Sequence, residues 1–572
     1  MRIGLIIEGG VPYAVGDASR AGDASDPVGV AGEGGWCDRL VRGLDQHRFD
    51  LYTLGAAPAS PLPPHARLVR AAAPGEDPMD RAAPGRSLRR AFGRRDRGRF
   101  LAAFAALAEG LCAEDPGARG SEGAYDDGGA SPVGGAGELF AAGLYALADL
   151  ARECGGLPGA LRSDEAVRLL EAACRAPGAR RGAAGAGLRD HLALAEELER
   201  TLRPLSLDWY GEDALGAADL CHAAGGGPVA LPGLLAARFH GIPLLVTEYG
   251  VRLRAHYLAP GGTERSGALR TLLAALHGRL TAEIYRQAAL LTPGDTHARR
   301  WYERCGADRA RIRTVHPGMP AERFAEAGED EESGDPATLV WVGRAEPAKD
   351  LIGLLHAFAE VRARQPDARL RIVAAPVREP EAEAYLLHCK GLAAHLFPDE
   401  AADPHAVGEN PVSFEELGGP EAPTPEDVHA SGAVTVLSSV VEGFPTTLVE
   451  AMFCARATVS TDVGAVVEVI GGTGLVVPPR NPRALADACL ALLRDPERRH
   501  RLGAAARARA LELFTVEQNL AAFRGIYLEL LSRAPVRHRA GADVPFAHPA
   551  EAHVPGSWAH QAVTAGTGAP DA

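Results

Sequence analysis

Between Ala433 and Cys454 the chain runs from an apolar β-branched stretch, Ala433 to Leu437 (AVTVL), through Glu442-Gly443-Phe444-Pro445-Thr446-Thr447-Leu448-Val449-Glu450 into an apolar helical run. A short apolar run that ends in a turn and restarts at helical spacing predicts a buried strand feeding a helix, the unit of an open α/β sheet. Such sheets bind ligands beyond the carboxyl ends of their strands. The unpaired N–H groups of a helix start favour an anion such as a diphosphate. Glu442 is expected to flank that anion, and Glu450, eight residues on, to reach hydroxyls such as a ribose diol. A nucleotide-sugar carries both groups.

A second element points the same way. Thr338 to Val342 (TLVWV) is β-rich and ends in Gly343-Arg344-Ala345-Glu346-Pro347-Ala348-Lys349-Asp350. Arg344 and Lys349 lie five residues apart across a proline-containing turn, so both cations can converge on one phosphate. They could instead pair with Glu346 and Asp350 on the surface, which would contribute little. An arbitrary pair of glutamates is more often a solvated surface pair. The strand, the Gly-Phe-Pro turn and the upstream cations together favour a site.

The glutamate spacing resembles the E-x7-E motif of the retaining GT-B glycosyltransferases of family four, and Gly343-Arg344 with Lys349 resembles their G-R-x4-K pair. The resemblance implies two Rossmann-like domains facing across a cleft, an α/β fold, and transfer with retention. It places Glu442 by the donor sugar and Glu450 on the ribose, and it uses Arg344 and Lys349 to neutralise the leaving diphosphate. Gly343, Gly443, Phe444, Pro445, Thr446, Thr447 and Leu448 would complete the donor site. No cofactor and no metal are implied, and no D-x-D motif stands at a compelling strand end.

With 572 residues, two or more domains are expected. Lys and Arg number 60 against 74 Asp and Glu, a net charge of −14 that disfavours nucleic acid as a partner. The nine cysteines are scattered without a C-x-x-C pair, so neither a disulfide framework nor a zinc cluster is indicated. A strand, Arg2 to Glu8, follows Met1 directly, which speaks against a signal peptide, and no window is apolar enough to span a bilayer. A cytoplasmic location follows as an expectation.

The stretch EGGVPY and the later GEGGW resemble the opening of the PelF-like exopolysaccharide branch of the same family, interrupted here by Ala14 to Ala31. Gly34 and Gly35 would then lie over the donor phosphates. Further on, His222, Thr247, Glu248 and Gly250 match the branch's V-H-A and T-E-H-G segments, and Tyr249 stands where a histidine is usual. The resemblance makes His222 a catalytic candidate beside the reading of a satisfied strand-end residue. Glu248 and Tyr249 fall on the acceptor side.

Residues 56–205 read as a mostly helical insertion with flexible loops near 115–136 and 176–187. Its stretch Arg81 to Arg99 holds eight arginines, either a solvated loop or a peripheral contact with an anionic membrane surface or an acidic acceptor. The expected organisation is a first domain over 1–318, a hinge over 319–336, a nucleotide-sugar-binding domain over 337–532 with a crossing helix at 515–531, and a disordered tail over 533–572. The polar stretch from about 398 to 425 is longer and richer in Pro and Glu than expected and precedes a helix start at Thr424-Pro425-Glu426-Asp427.

The activity implied is transfer of a sugar from a UDP-glucose-like nucleotide-sugar to an unidentified acceptor, in polysaccharide or glycoconjugate synthesis. Two rivals stand beside it. One is a non-catalytic nucleotide-sugar-binding protein on the same fold. The other is an NAD-dependent oxidoreductase, because Gly225, Gly227 and Ala230 follow a strand, open a helix and precede Glu248 at the next strand end.

Overall fold

Two parallel sheets organise the chain in this computed structural model, which describes residues 1–9, 33–55, 61–72, 92–114, 135–258, 265–329, 334–376, 379–398 and 410–534. The first contains β1 (Arg2–Glu8), β2 (Arg48–Leu54), β3 (Ala66–Ala72), β4 (Leu220–Ala224), β5 (Leu244–Glu248) and β6 (Leu290–Pro293), in the order β3-β2-β1-β4-β5-β6. The second contains β7 (Asp335–Gly343), β8 (Arg369–Ala374), β9 (Val412–Glu416), β10 (Gly432–Leu437), β11 (Ala457–Thr461) and β12 (Leu475–Val477), in the order β12-β11-β10-β7-β8-β9. In each sheet the first and fourth strands are neighbours and the order runs outward from them. The crevices beyond β1/β4 and β7/β10 are therefore topological switch points, where α/β sheets take ligands. Val434 pairs with Leu339 and Thr435 with Val340, so Gly343 and Ser438 leave the second sheet side by side.

The central strands form because both of their faces are covered: every residue of β4, β5, β10 and β11 is buried. The helix Val516–Arg533 crosses back to the first sheet, where Phe523, Ile526, Tyr527 and Leu530 share a core with Ile3, Leu5, Trp36 and Leu220. The inserted helices Arg94–Cys112 and Ala136–Cys154 cross at two glycines. A Cβ on Gly110 would stand 2.3 Å from the Phe140 nitrogen, and one on Gly143 would stand 2.5 Å from that of Leu107.

Two expectations are corrected. The insertion does not begin at about 56, because Ala66–Ala72 is a third parallel strand; as an edge strand it is half-buried or exposed up to its last residue and offers no continuous apolar run. Residues 176–187 are not a flexible loop but tight turns pinned to the core, with the Arg180 N–H donating to the Cys112 carbonyl (2.8 Å) and Ala183 fully buried. Within 398–425, which the sequence pattern leaves unassigned, Val412–Glu416 is an edge strand on β8. Within the segment 319–336, Ala321–Phe324 and Ala325–Glu329 are helical and Phe324 stacks on Phe453, ring centroids 5.8 Å apart, while residues 330–333 lie outside the described residues. The segment Ala14 to Ala31, the loop near 115–134, Arg81 to Ala91 and the tail from 535 lie outside the described residues.

Candidate functional site

The loops after β7 and β10 carry the charged residues singled out by the sequence and are tied together by backbone. The Val440 N–H donates to the Ala348 carbonyl (2.8 Å), and the Ser438 hydroxyl donates to that of Lys349 (2.7 Å). This clamp brings the Lys349 ammonium onto both carboxylate oxygens of Glu442, at 2.9 and 2.7 Å. The pair is largely shielded, with side-chain exposures of 18% and 10%. Arg344, on the same turn, is 48% exposed, and its nearest carboxylate, Glu346, is 3.8 Å away. Its guanidinium is thus available to an incoming anion, whereas Lys349 must exchange Glu442 for one.

The helix Thr446–Phe453 starts just past Glu442. The amides of Gly443, Phe444 and Thr447 donate to no acceptor among the described residues, while those of Thr446 and Leu448 close back on Phe444 and Pro445. Free amides at a helix start are what an oxyanion requires. The side chains of Phe444, Pro445 and Leu448 serve packing instead: Leu448 is fully buried, and Phe444 meets His316 and Phe514 with centroids 6.2 and 5.7 Å away. Glu450 lies one helical turn further, 23% exposed, with Oε2 3.8 Å from Nε2 of the buried His429. Gly343 ends β7 where a Cβ would come within 3.2 Å of the Trp341 ring. A separate cleft of about 380 Å³ opens beside the loop between Pro347, Asp350, Val440 and Arg480; none of Arg344, Lys349, Glu442 and Glu450 lines it.

The first sheet contributes less than expected. His222 is wholly buried; Nδ1 lies 2.8 Å from the Tyr527 hydroxyl and Nε2 2.7 Å from that of Thr247. Burial drives its pKa down to about 3. Both nitrogens are spent inside the fold, so the catalytic reading of His222 is corrected to a packing role. Glu248 is buried as well, accepting from the Arg252 N–H (2.6 Å) and the Tyr285 hydroxyl (2.7 Å); burial pushes its carboxyl up. Glu248 is only 2% exposed and its carboxylate is turned into the fold, away from any ribose, which removes the feature that supported the dinucleotide reading. The Tyr249 hydroxyl accepts from Asn519 Nδ2 (3.0 Å), tying this strand end to the crossing helix. Gly34 and Gly35 lie in the first turns of the helix Glu33–Gly43, after β1 in the chain.

Sequence reasoning missed Arg254. It stands on the helix Arg252–Leu258 beyond β5, yet its Nη2 donates to the Glu442 carbonyl (2.7 Å), across 188 residues of chain. The Glu442–Gly443 peptides are therefore held from both sides, because the Ala465 N–H donates to the Gly443 carbonyl (3.1 Å). A Cβ on the neighbouring Gly464 would stand 2.4 Å from the Glu442 carbonyl oxygen. A second link crosses the same face, with Glu468 Oε2 accepting from the Thr296 N–H and hydroxyl at 2.7 and 2.6 Å.

Comparison with known proteins bears on this geometry. A crystal structure of α,α-trehalose 6-phosphate synthase from Burkholderia multivorans superposes with a TM-score of 0.50 at 13% identity, covering 94% of this chain and 99% of that one. The fold is GT-B. Residues 336–495, which hold all four charged residues, match the family model for group 1 glycosyl transferases. Residues 157–310 match a domain of unknown function, DUF3492. Among curated proteins, D-inositol 3-phosphate glycosyltransferase of Frankia alni is 34% identical over 203 residues, 35% of this chain and 46% of the relative. That of Kribbella flavida is 28% identical over 250 residues, 41% of this chain and 56% of the relative. The chain spans about half the length of these relatives.

Proposed function

We propose that this GT-B chain is a glycosyltransferase that moves a sugar from a UDP-glucose-like nucleotide-sugar, with retention and without a required metal, to an acceptor still to be identified. The observation that carries the reading is the contact of Lys349 with Glu442 at the β7/β10 switch point, beside a helix start with free amides. In this reading Arg344, Lys349 and those amides stabilise the charge that develops on the leaving diphosphate. Glu442, released as Lys349 turns to the phosphate, orients the donor sugar. Glu450 holds the ribose, and Arg254 fixes the Glu442 loop from the opposite domain. The T-E-x-G and glycine-rich segments favour the PelF-like branch, working in the cytoplasm, with the arginines from 81 to 99 as a peripheral contact to an anionic surface.

Thermal stabilisation by a panel of nucleotide-sugars selects the donor. With UDP-glucose, slow release of UDP is expected. Glu450→Ala is expected to weaken UDP binding about tenfold in calorimetry, the worth of a hydrogen bond to a charged group. Affinity for NAD with none for nucleoside diphosphates would sink the proposal. Arg254→Ala is expected to leave the UDP dissociation constant within about twofold while slowing UDP release from UDP-glucose about tenfold. Parallel losses in both would instead mark Arg254 as a donor ligand. The burial of His222 keeps one second reading, a donor-binding protein without transfer. It would show itself as donor binding with no UDP release and no product across an acceptor panel.

A further inference from the structure

Resting on the donor reading above, we propose that His429 is a positioning residue that orients Glu450 toward the ribose diol. His429 lies on the helix Pro425–Ala430 and is fully buried. Its Nδ1 is 3.2 Å from the Thr435 hydroxyl at the middle of β10. With that hydroxyl donating, the neutral ring carries its proton on Nε2. This nitrogen has no hydrogen-bond partner among the described residues, and the acceptor it faces is Glu450 Oε2 at 3.8 Å.

A buried ring nitrogen without a partner is costly and calls for an explanation. The separation exceeds a hydrogen bond, and a small rotation of the partly exposed Glu450 side chain closes it. The helices Pro425–Ala430 and Thr446–Phe453 pack side by side, so the imidazole meets Glu450 from within the protein, while the glutamate side chain keeps 23% of its surface exposed. A carboxylate offers about four lone-pair sites. One bond to His429 fixes its plane and leaves acceptors for two sugar hydroxyls. The chain from Thr435 through His429 to Glu450 thus converts a freely rotating glutamate into a preorganised diol acceptor, with no charge needed on the imidazole.

The test is the ratio of affinities for UDP and 2′,3′-dideoxy-UDP, measured by calorimetry on the full chain. The intact protein is expected to prefer UDP at least tenfold, and Glu450→Ala to bring the two to parity. His429→Asn, whose amide meets Thr435 but is too short for Glu450, is expected to lose most of the preference while the dideoxy affinity stays within about twofold. His429→Gln, whose amide reaches the position of Nε2, is expected to retain it. Thr435→Val provides a second route to a reduced preference if the Asn variant does not fold. A preference unchanged in His429→Asn, or in Thr435→Val where that variant is used, overturns the inference, as does an equal fall in both affinities, which marks a structural role. A protein that binds neither nucleotide refutes the donor reading itself and the inference with it.

Discussion

Lys349→Ala is expected to lower the rate of UDP release from UDP-glucose by about 10²–10³-fold, the usual loss when one preorganised donor to a developing negative charge is removed. Two consequences of the geometry combine. The leaving diphosphate loses a cation placed at the β7/β10 switch point, and Glu442, bound to Lys349 at 2.7 and 2.9 Å, becomes an unneutralised and largely shielded carboxylate facing the incoming phosphates. Arg344 does not replace the ammonium, because it is 48% exposed and directed at Glu346 rather than Glu442. Glu442→Gln keeps the shape and removes the charge, so Lys349→Ala combined with Glu442→Gln is expected to cost less than the sum of the two. Residues that share one contact are not additive. Steady-state UDP release and UDP calorimetry on the three variants decide the matter. Turnover of Lys349→Ala at the wild-type rate would take the ion pair out of the mechanism.

The meeting of Lys349 and Glu442 was legible from sequence because each follows a strand buried on both faces, and near-continuous apolar runs such as AVTVL mark such strands without tertiary information. Edge strands carry no such mark. ARLVRAA and VSFEE are half exposed, and their charged positions read as loop or helix until a neighbouring strand supplies the ladder. His222 shows a different limit. Side chains alternate faces along a strand, so the residues around it cannot say whether the ring points to the cleft or to the core; the crossing helix, some three hundred residues later, decides with the Tyr527 hydroxyl. Arg254 and His429 were invisible for the same reason. The partner of each is chosen by how separate elements pack, and neither belongs to a motif.

Acid is expected to destabilise the chain well above the carboxylate range. Burial drives both His222 and His277 down to about 3, with the nearby His256 adding to the effect at His277. His47, His191, His256 and His297 are lowered by burial as well. The folded state therefore keeps these rings neutral while the unfolded chain protonates them near its ordinary value of about 6.5. Below that pH the unfolded state binds more protons, so stability falls as pH falls. For His222 and His277 alone the loss between pH 8 and pH 5 is about 4 kcal/mol, and the more weakly shifted rings act in the same direction. Glu248 and Asp295, whose carboxyls are raised by burial, take up protons in the folded state first and oppose the trend, so the histidine loss is read as the net difference between pH 8 and pH 5. Urea midpoints at the two limits are expected to drop steeply, and His222→Gln, which keeps a neutral hydrogen-bonding group, is expected to flatten the profile. A midpoint independent of pH would mean that the rings reach water in the folded state. That result would also reopen His222 as a cleft residue, since an imidazole that titrates freely in the fold cannot be enclosed between Thr247 and Tyr527.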